Sequence, residues 1–420
     1  LFQRPDWVYA AVANACRHAE EDAMSFEVPE QVREIRDRVL NFVESHVYPA
    51  EPLMQERGSD ESDRVLRGLM QQAKEEGLWA LGHPTEIGGQ GMPFLDYVYI
   101  NEVVGRSSLA MVALGTHSLQ DSIMLNEFAS PEWRDAYLKP LVEGEIFPSF
   151  AMTEPDVASS DPTQLQTRAV LEGDEWVING HKWFTSGADR AAYTTVMLRT
   201  EPDAPDHAAF SMIVVPTDTP GYNIVRDVKV MGHQGGHCEV RYENVRVPRE
   251  NLLGPRGAGF KIAQRRLGPG RIFHCMRWLG QAQRAYDLMC NRANSRVAFG
   301  KTLGEHQQIR KFVFDSLCEI QASRLLTLNA ARKIDQGGEA RVEIGMIKVV
   351  GAAMLHNVID RAIQVFGAAG VTEDTPLERM YRDARFARIY DGPDEVHIDT
   401  TARRVLNSYK IGDGWDFGLR

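Results

Sequence analysis

The hydrophobic period of this chain changes twice along its length, and that order of blocks constrains the fold more than any single motif. From about Pro29 to Leu141, apolar residues recur at threes and fours: Val32, Ile35, Val39, Phe42 and Val43, then Val65, Leu66, Leu69 and Met70. That spacing predicts amphipathic helices. Gly77-Leu-Trp-Ala-Leu-Gly-His-Pro-Thr-Glu-Ile-Gly-Gly-Gln-Gly91 interrupts them as a loop. From Pro148 to about Leu253 the pattern turns to strands. Leu171 to Gly180 predicts a hairpin, Phe210-Ser-Met-Ile-Val-Val215 a buried strand, and Val240 to Val247 an alternating one. Helical periodicity then returns from Gly259, and runs such as Val342 to Phe366 predict core helices packed side by side. The chain divides into residues 1–147, 148–258 and 259–420, an α+β multidomain order of α, β and α blocks. A βαβ dinucleotide fold would alternate instead, and no GxGxxG follows a strand.

A net charge of -11, spread along 420 residues, argues against nucleic acid or an anionic membrane as partner. The five cysteines, Cys16, Cys238, Cys275, Cys290 and Cys318, show no CxxC pair or metal-ligand spacing. They predict free thiols in a reducing compartment, no metal and no secretion. No membrane span is expected, because no apolar run approaches spanning length. The chain begins Leu-Phe-Gln without a Met, which leaves room for a targeting peptide or an upstream domain.

The chemistry points to Asp391, in Arg382-Asp-Ala-Arg-Phe-Ala-Arg-Ile-Tyr-Asp-Gly-Pro-Asp-Glu-Val396. Pro393 suits the first turn of a helix, and Gly392 is the hinge before it. The new helix would direct N–H groups and a positive dipole end at whatever binds there. An Asp before Gly-Pro serves as a turn residue or as a base beside a buried electrophile. Thr153 and the Ser159-Ser160 pair lie on a Pro-containing loop, where hydroxyls cap a helix, make a turn or bond a ligand.

Five segments in order together resemble the acyl-CoA dehydrogenase family, over nearly the whole chain. They are the Gly77 to Gly91 loop, Met152-Thr-Glu-Pro-Asp-Val-Ala-Ser-Ser-Asp161, Gly180-His-Lys-Trp-Phe-Thr-Ser186, Arg296-Val-Ala-Phe-Gly-Lys301 with Glu305-His-Gln307, and Gln364-Val-Phe-Gly-Ala-Ala-Gly370 leading to Tyr390-Asp391-Gly392. The wording is most similar to the subgroup of family members ten and eleven and their bacterial relatives. The resemblance implies a helical N-terminal domain, a central β-barrel and a C-terminal four-helix bundle. FAD would lie between domains and between subunits of a homodimer or homotetramer.

By the same resemblance, Phe150, Met152, Thr153, Ser159, Ser160, Phe184 and Ser186 meet the flavin, with Phe184 covering its face. Ser159 or Ser160 takes the thioester side. Arg296 and Phe299, with His306 and Gln307, reach the pyrophosphate and adenosine of a neighbour's FAD, and an Arg suits bidentate phosphate recognition. Gln364, Phe366, Gly367 and Ala368 match the adenosine side, and Pro393 and Glu395, just after the base, are further cofactor-binding residues. Gly268-Pro-Gly-Arg271 is expected to open a helix, with Gly268, Arg271 and Gly392 at the substrate. Gly115, on a helix from Glu102 to His117, falls at the floor of the acyl pocket, or else lets two helices pack closely.

The implied reaction is α,β-dehydrogenation of a medium-to-long-chain acyl-CoA to the trans-2-enoyl-CoA. Asp391 would be the base, its pKa expected to rise from roughly 3.9 toward working pH, with electron-transfer flavoprotein as acceptor. A nitroalkane oxidase or an acyl-CoA oxidase on the same fold, or a flavin-binding assembly protein without turnover, are the alternatives. The compartment follows the source: cytoplasm in a bacterium, mitochondrion or peroxisome in a eukaryote.

Overall fold

The computed structural model describes residues 28–54, 58–233 and 235–415; Cys16 lies outside them. The N-terminal block is helical, as its period predicts. Helix α1 (Glu30–Phe42) buries Val32, Val39 and Phe42, and α2 (Asp60–Glu75) buries Leu66, Leu69, Met70 and Ala73. Ser59 caps α2 by accepting from Ser62 N at 3.2 Å, with Asp60, Glu61 and Asp63 in the first turn. Helix α3 (Phe94–Val104) is buried from Tyr97 onward. The expected helix from Glu102 to His117 is broken. Its first part ends at Gly105, Ser107 caps a short α4 (Ser108–Ala113), and Gly115 turns left-handed before α5 (Leu119–Phe128).

The middle block forms one eight-stranded sheet from β1 (Pro148–Ala151), β2 (Arg168–Glu172), β3 (Glu175–Ser186), β4 (Tyr193–Arg199), β5 (Phe210–Pro216), β6 (Tyr222–Asp227), β7 (His237–Pro248) and β8 (Leu252–Leu253). Its order is β6-β7-β3-β2-β4-β5-β8, with β1 added in parallel on β4. The expected barrel is not closed, because β6 and β8 end the path unpaired with each other. The predicted hairpin is β2–β3, turning at Gly173.

The C-terminal block is a bundle of α6 (Gly259–Ser295), α7 (Gln307–Asp335), α8 (Arg341–Phe366) and α10 (Asp394–Lys410), with α9 (Leu377–Ala387) beside them. The expectation that Gly268-Pro-Gly-Arg271 opens a helix is corrected: the motif lies inside the 37-residue α6. Helix α6 packs so closely on α3 that a Cβ on Gly280 would sit 1.9 Å from Glu102 O. The Glu102 carboxylate in turn takes two bonds from Arg324 of α7, so one apolar core joins the first and third blocks. Contrary to expectation, the segment Arg341–Val371 is long and apolar enough to cross a membrane. Its most apolar window is 67% buried, because a helix at the centre of a bundle is apolar on every side.

Candidate active site

Asp391 sits in a left-handed turn, φ 55°, between α9 and α10, and Gly392 follows at φ 99°. A Cβ at Gly392 would lie 2.7 Å from His397 Nε2, so glycine is needed here for space as well as for φ. The turn is pinned through its carbonyls. Arg271 Nε donates to Asp391 O at 3.2 Å, and His397 Nε2 donates to the same oxygen at 3.1 Å. From α8, the fully buried Lys348 donates to Ala387 O at 2.7 Å and Gly392 O at 3.1 Å. Four bonds thus fix the backbone without using the carboxylate. Pro393 is the N-cap of α10, one residue before the first turn in which it was expected; Glu395 is exposed in that turn, and the Asp394 N–H is taken by Arg388 O at 3.2 Å.

The carboxylate faces cations and a histidine. His274 Nε2 lies 3.1 Å from Asp391 Oδ2. Burial alone would push the Asp391 carboxyl up, but His274, Arg271 and Arg266 outweigh it and hold the group well below the usual carboxylate range. The expected rise toward working pH is therefore reversed, because the sequence placed only one of these partners. His274 is itself held below its ordinary value, first by burial and then by Arg277, with Asp391 opposing. Arg266 also lies within 4.5 Å of the Phe150 ring and binds Asp121 at 3.1 Å, joining the Asp391 neighbourhood to the sheet.

On the sheet side, the loop after β1 meets the end of β3. Trp183 N donates to Thr153 O at 3.0 Å, and the buried Lys182 donates to Met152 O at 2.8 Å and to Glu154 Oε1 at 2.9 Å. Ser159 Oγ accepts from Glu154 N at 2.9 Å, so this hydroxyl holds its own loop together, whereas Ser160 is exposed. Phe184 is left-handed, φ 49°, and the residue is 38% exposed. Ser186 Oγ lies 2.8 Å from His237 Nδ1. The neighbouring Trp183 Nε1 is buried without a partner. An unpaired indole donor beside an accessible aromatic face and hydroxyls fits an acceptor-rich planar heterocycle such as an isoalloxazine.

A second group of predicted residues stands elsewhere. Arg296 is exposed at the start of the hairpin between α6 and α7 and Gln307 at the first position of α7, and Phe299, φ 52°, is 97% exposed. His306 Nε2 lies 3.2 Å from Ala298 O. Gln364, Gly367 and Ala368 are exposed at the end of α8, where the Arg292 guanidinium lies 5.3 Å from the Phe366 ring centre. From Arg271 to Arg292 along α6, and from Lys348 to Phe366 along α8, the axial distance is roughly 30 Å at 1.5 Å per residue. One chain does not bring the two groups together. Phe184, Phe299 and Asp391 are three of the seven described non-glycine residues at positive φ, so strained backbone concentrates on the predicted site.

Gly268 lies on α6 in the same run as Arg271. A cavity of about 240 Å³ between α3, α5 and α6 is lined mainly by Phe94, Tyr97, Leu119, Ile123 and Phe273, with Arg266 at its polar side. Gly115 is not among its lining residues. At φ 73° it turns against Trp79, where a Cβ would meet the indole at 2.9 Å. His274, Arg277, Arg266 and Lys348 were missed by sequence reasoning. The signal for two of them, His274 and Arg277, was the spacing Arg271-Ile-Phe-His274-Cys-Met-Arg277, a polar stripe at i, i+3 on an otherwise buried helix.

Three family models match in succession: acyl-CoA dehydrogenase N-terminal domain over residues 29–145, middle domain over 149–245 and C-terminal domain over 257–406. A probable acyl-CoA dehydrogenase, FadE2 of Mycobacterium tuberculosis, is 45% identical over 92% of this chain and 98% of its own. Acyl-CoA dehydrogenase family member 10 of Mus musculus is 43% identical over 90% of this chain, and member 11 of Rattus norvegicus 41% over 89%. This chain spans only 37% and 50% of the length of those two proteins. Among solved structures, a putative acyl-CoA dehydrogenase from Mycobacterium abscessus superimposes with a TM-score of 0.85 at 37% identity, over 91% of this chain and all of that one. An acyl-CoA dehydrogenase from Geobacillus kaustophilus follows with a TM-score of 0.81 at 27% identity, over 91% of this chain and 99% of its own.

Proposed function

This chain belongs to the acyl-CoA dehydrogenase family of FAD-dependent oxidoreductases, and on that premise we propose that Asp391 is the base that removes the α-proton of an acyl-CoA thioester. The observation that carries the reading is the pinned turn: a carboxylate held ionised, on a backbone fixed by Arg271, His397 and Lys348. An ionised carboxylate is ready to accept a proton without first losing one. FAD, when bound, supplies the hydride acceptor.

Thr153, Phe184 and Ser186, with Phe150 and Met152 behind them, hold the isoalloxazine. The exposed Ser160 takes the thioester side, since Ser159 is engaged within its loop. The apolar cavity takes the acyl tail, and its size favours medium-to-long chains, each buried methylene adding roughly 0.8 kcal/mol. Arg296, Phe299, Gln307 and Gln364 serve the FAD of a neighbouring subunit in a homo-oligomer, which accounts for a phenylalanine 97% exposed in one protomer. Electron-transfer flavoprotein is the acceptor.

The test is Asp391→Asn, which keeps the side chain's shape but removes its capacity to take a proton. Flavin content should stay at the wild-type level, while anaerobic reduction by acyl-CoA thioesters falls by roughly 10² to 10⁴-fold. Reduction at the wild-type rate would remove Asp391 from the mechanism. Bleaching by a nitroalkane in the wild type would redirect the substrate assignment.

A further inference from the structure

Two residues that the family reading did not single out form a directed chain with the candidate base. Arg277 NH2 lies 3.0 Å from His274 Nδ1, and His274 Nε2 lies 3.1 Å from Asp391 Oδ2. A guanidinium only donates, so Nδ1 must carry the lone pair and the ring proton must sit on Nε2. A carboxylate only accepts, so the chain runs from Arg277 through His274 to Asp391. We propose that His274 is a positioning residue that, oriented by Arg277, holds Asp391 through Oδ2 in one rotamer and leaves Oδ1 to take the substrate's α-proton.

This rests on Asp391 as the base. In that step the Cα–H bond breaks, an O–H bond forms on Oδ1, and the electron pair stays with the substrate. His274 is not a relay, since a second ring proton would set an N–H against the Arg277 guanidinium. The arrangement is built into the core: Arg277 is 9% exposed, and Asn101 of α3 donates to Phe273 O at 3.1 Å one residue before His274. The Tyr390 ring lies tilted against the His274 ring, centroids 5.2 Å apart, and its hydroxyl accepts from Trp278 Nε1 at 2.7 Å, which packs a fixed aromatic ring beside the imidazole.

The groups that bear on Asp391 are Arg266, Arg271, His274, Cys275 and Arg277 from α6, Lys348 from α8, His397 from α10, and Tyr390 in its own turn. Asp394 of α10 bears on Lys348 and is paired with Arg388 at 2.7 Å. The arginines and Lys348 stay when His274 is replaced, whereas His274 is the first of the groups that lower the Asp391 carboxyl, so its loss should move that carboxyl upward, and a replacement that returns only a donor separates the hydrogen bond from the rest.

Two variants of the holoenzyme test the proposal. His274→Phe fills the space without a donor, and His274→Gln returns an amide donor near the Nε2 position. The Asp391 carboxyl is followed by carbon NMR across pH, its signal assigned by its absence in Asp391→Asn, and kcat and KM are measured alongside. In the Phe variant the carboxyl midpoint should rise by about one pH unit or more and kcat should fall by roughly 10 to 100-fold, with KM within about threefold. The Gln variant should recover most of both. An unmoved midpoint in the Phe variant, or equal losses in Phe and Gln, would overturn the proposal. A fully active Asp391→Asn would instead overturn the base assignment, and the carboxyl midpoint would still report on the chain from Arg277.

Discussion

His83 makes a pH-dependent liability that can be worked out from its surroundings. Its side chain is buried, residue exposure 1%, with Nε2 3.1 Å from Ser118 Oγ, and burial lowers its pKa from 6.5 to about 4. The fold therefore accepts the neutral ring and refuses the charged one. As pH falls below 6.5, the unfolded chain binds a proton that the native chain does not, and stability is lost until about pH 4, where both forms are protonated. At roughly 1.4 kcal/mol per pH unit, the 1.5 units from 6.5 to pH 5 amount to about 2 kcal/mol. His83→Gln keeps a polar group toward Ser118 but cannot titrate. Urea unfolding of both proteins at pH 7 and pH 5 checks this, because carboxylates common to both cancel in the difference. The wild type should lose about 2 kcal/mol more than the variant over that interval. Equal losses would refute the reasoning. Gly82, the adjacent residue, lines the apolar cavity between α3, α5 and α6.

Lys348→Met should lower kcat more than it raises KM, because the carbonyls of Ala387 and Gly392 lose their donor and the Asp391 turn loosens. Each orphaned carbonyl costs about 1–3 kcal/mol, offset in part by removing a buried ammonium, so thermal unfolding should show a smaller net loss than the sum. Gly115→Ala should destabilise by roughly 1–2 kcal/mol, since alanine at φ 73° is strained and presses on Trp79. Rates with short and long thioesters should fall together in that variant; a selective loss of long chains would restore Gly115 to the acyl pocket.

Much of the architecture was readable because it rests on local periodicity. The helices around Val32 to Phe42 and Val342 to Phe366, and the hairpin from Leu171 to Gly180, follow from spacing alone. Asp391, Gly392 and Pro393 were readable because a special turn needs special residues. What failed depends on three-dimensional neighbours. Gly268-Pro-Gly-Arg271 carries helix-breaking residues, yet packing keeps it inside α6. Gly115 reads as a helix position until Ser107 restarts the helix and Trp79 arrives from another segment. Sheet closure depends on whether β6 reaches β8, which no single strand encodes. The lowered pKa of Asp391 needs His274, 117 residues earlier in the chain, and no local pattern reports that contact.

The roughly 30 Å between the Asp391 turn and the Arg296–Phe299 hairpin bears on how mutations would be inherited. In an assembly where each hairpin serves a neighbour's FAD, a lesion at Arg296 and a lesion at Asp391 damage different sites when carried on different copies. A mixed dimer of the two defective chains would then hold one site with both lesions and one with neither. Two alleles, each inactive alone, would complement when co-expressed, whereas two alleles at the same end of α6 would not.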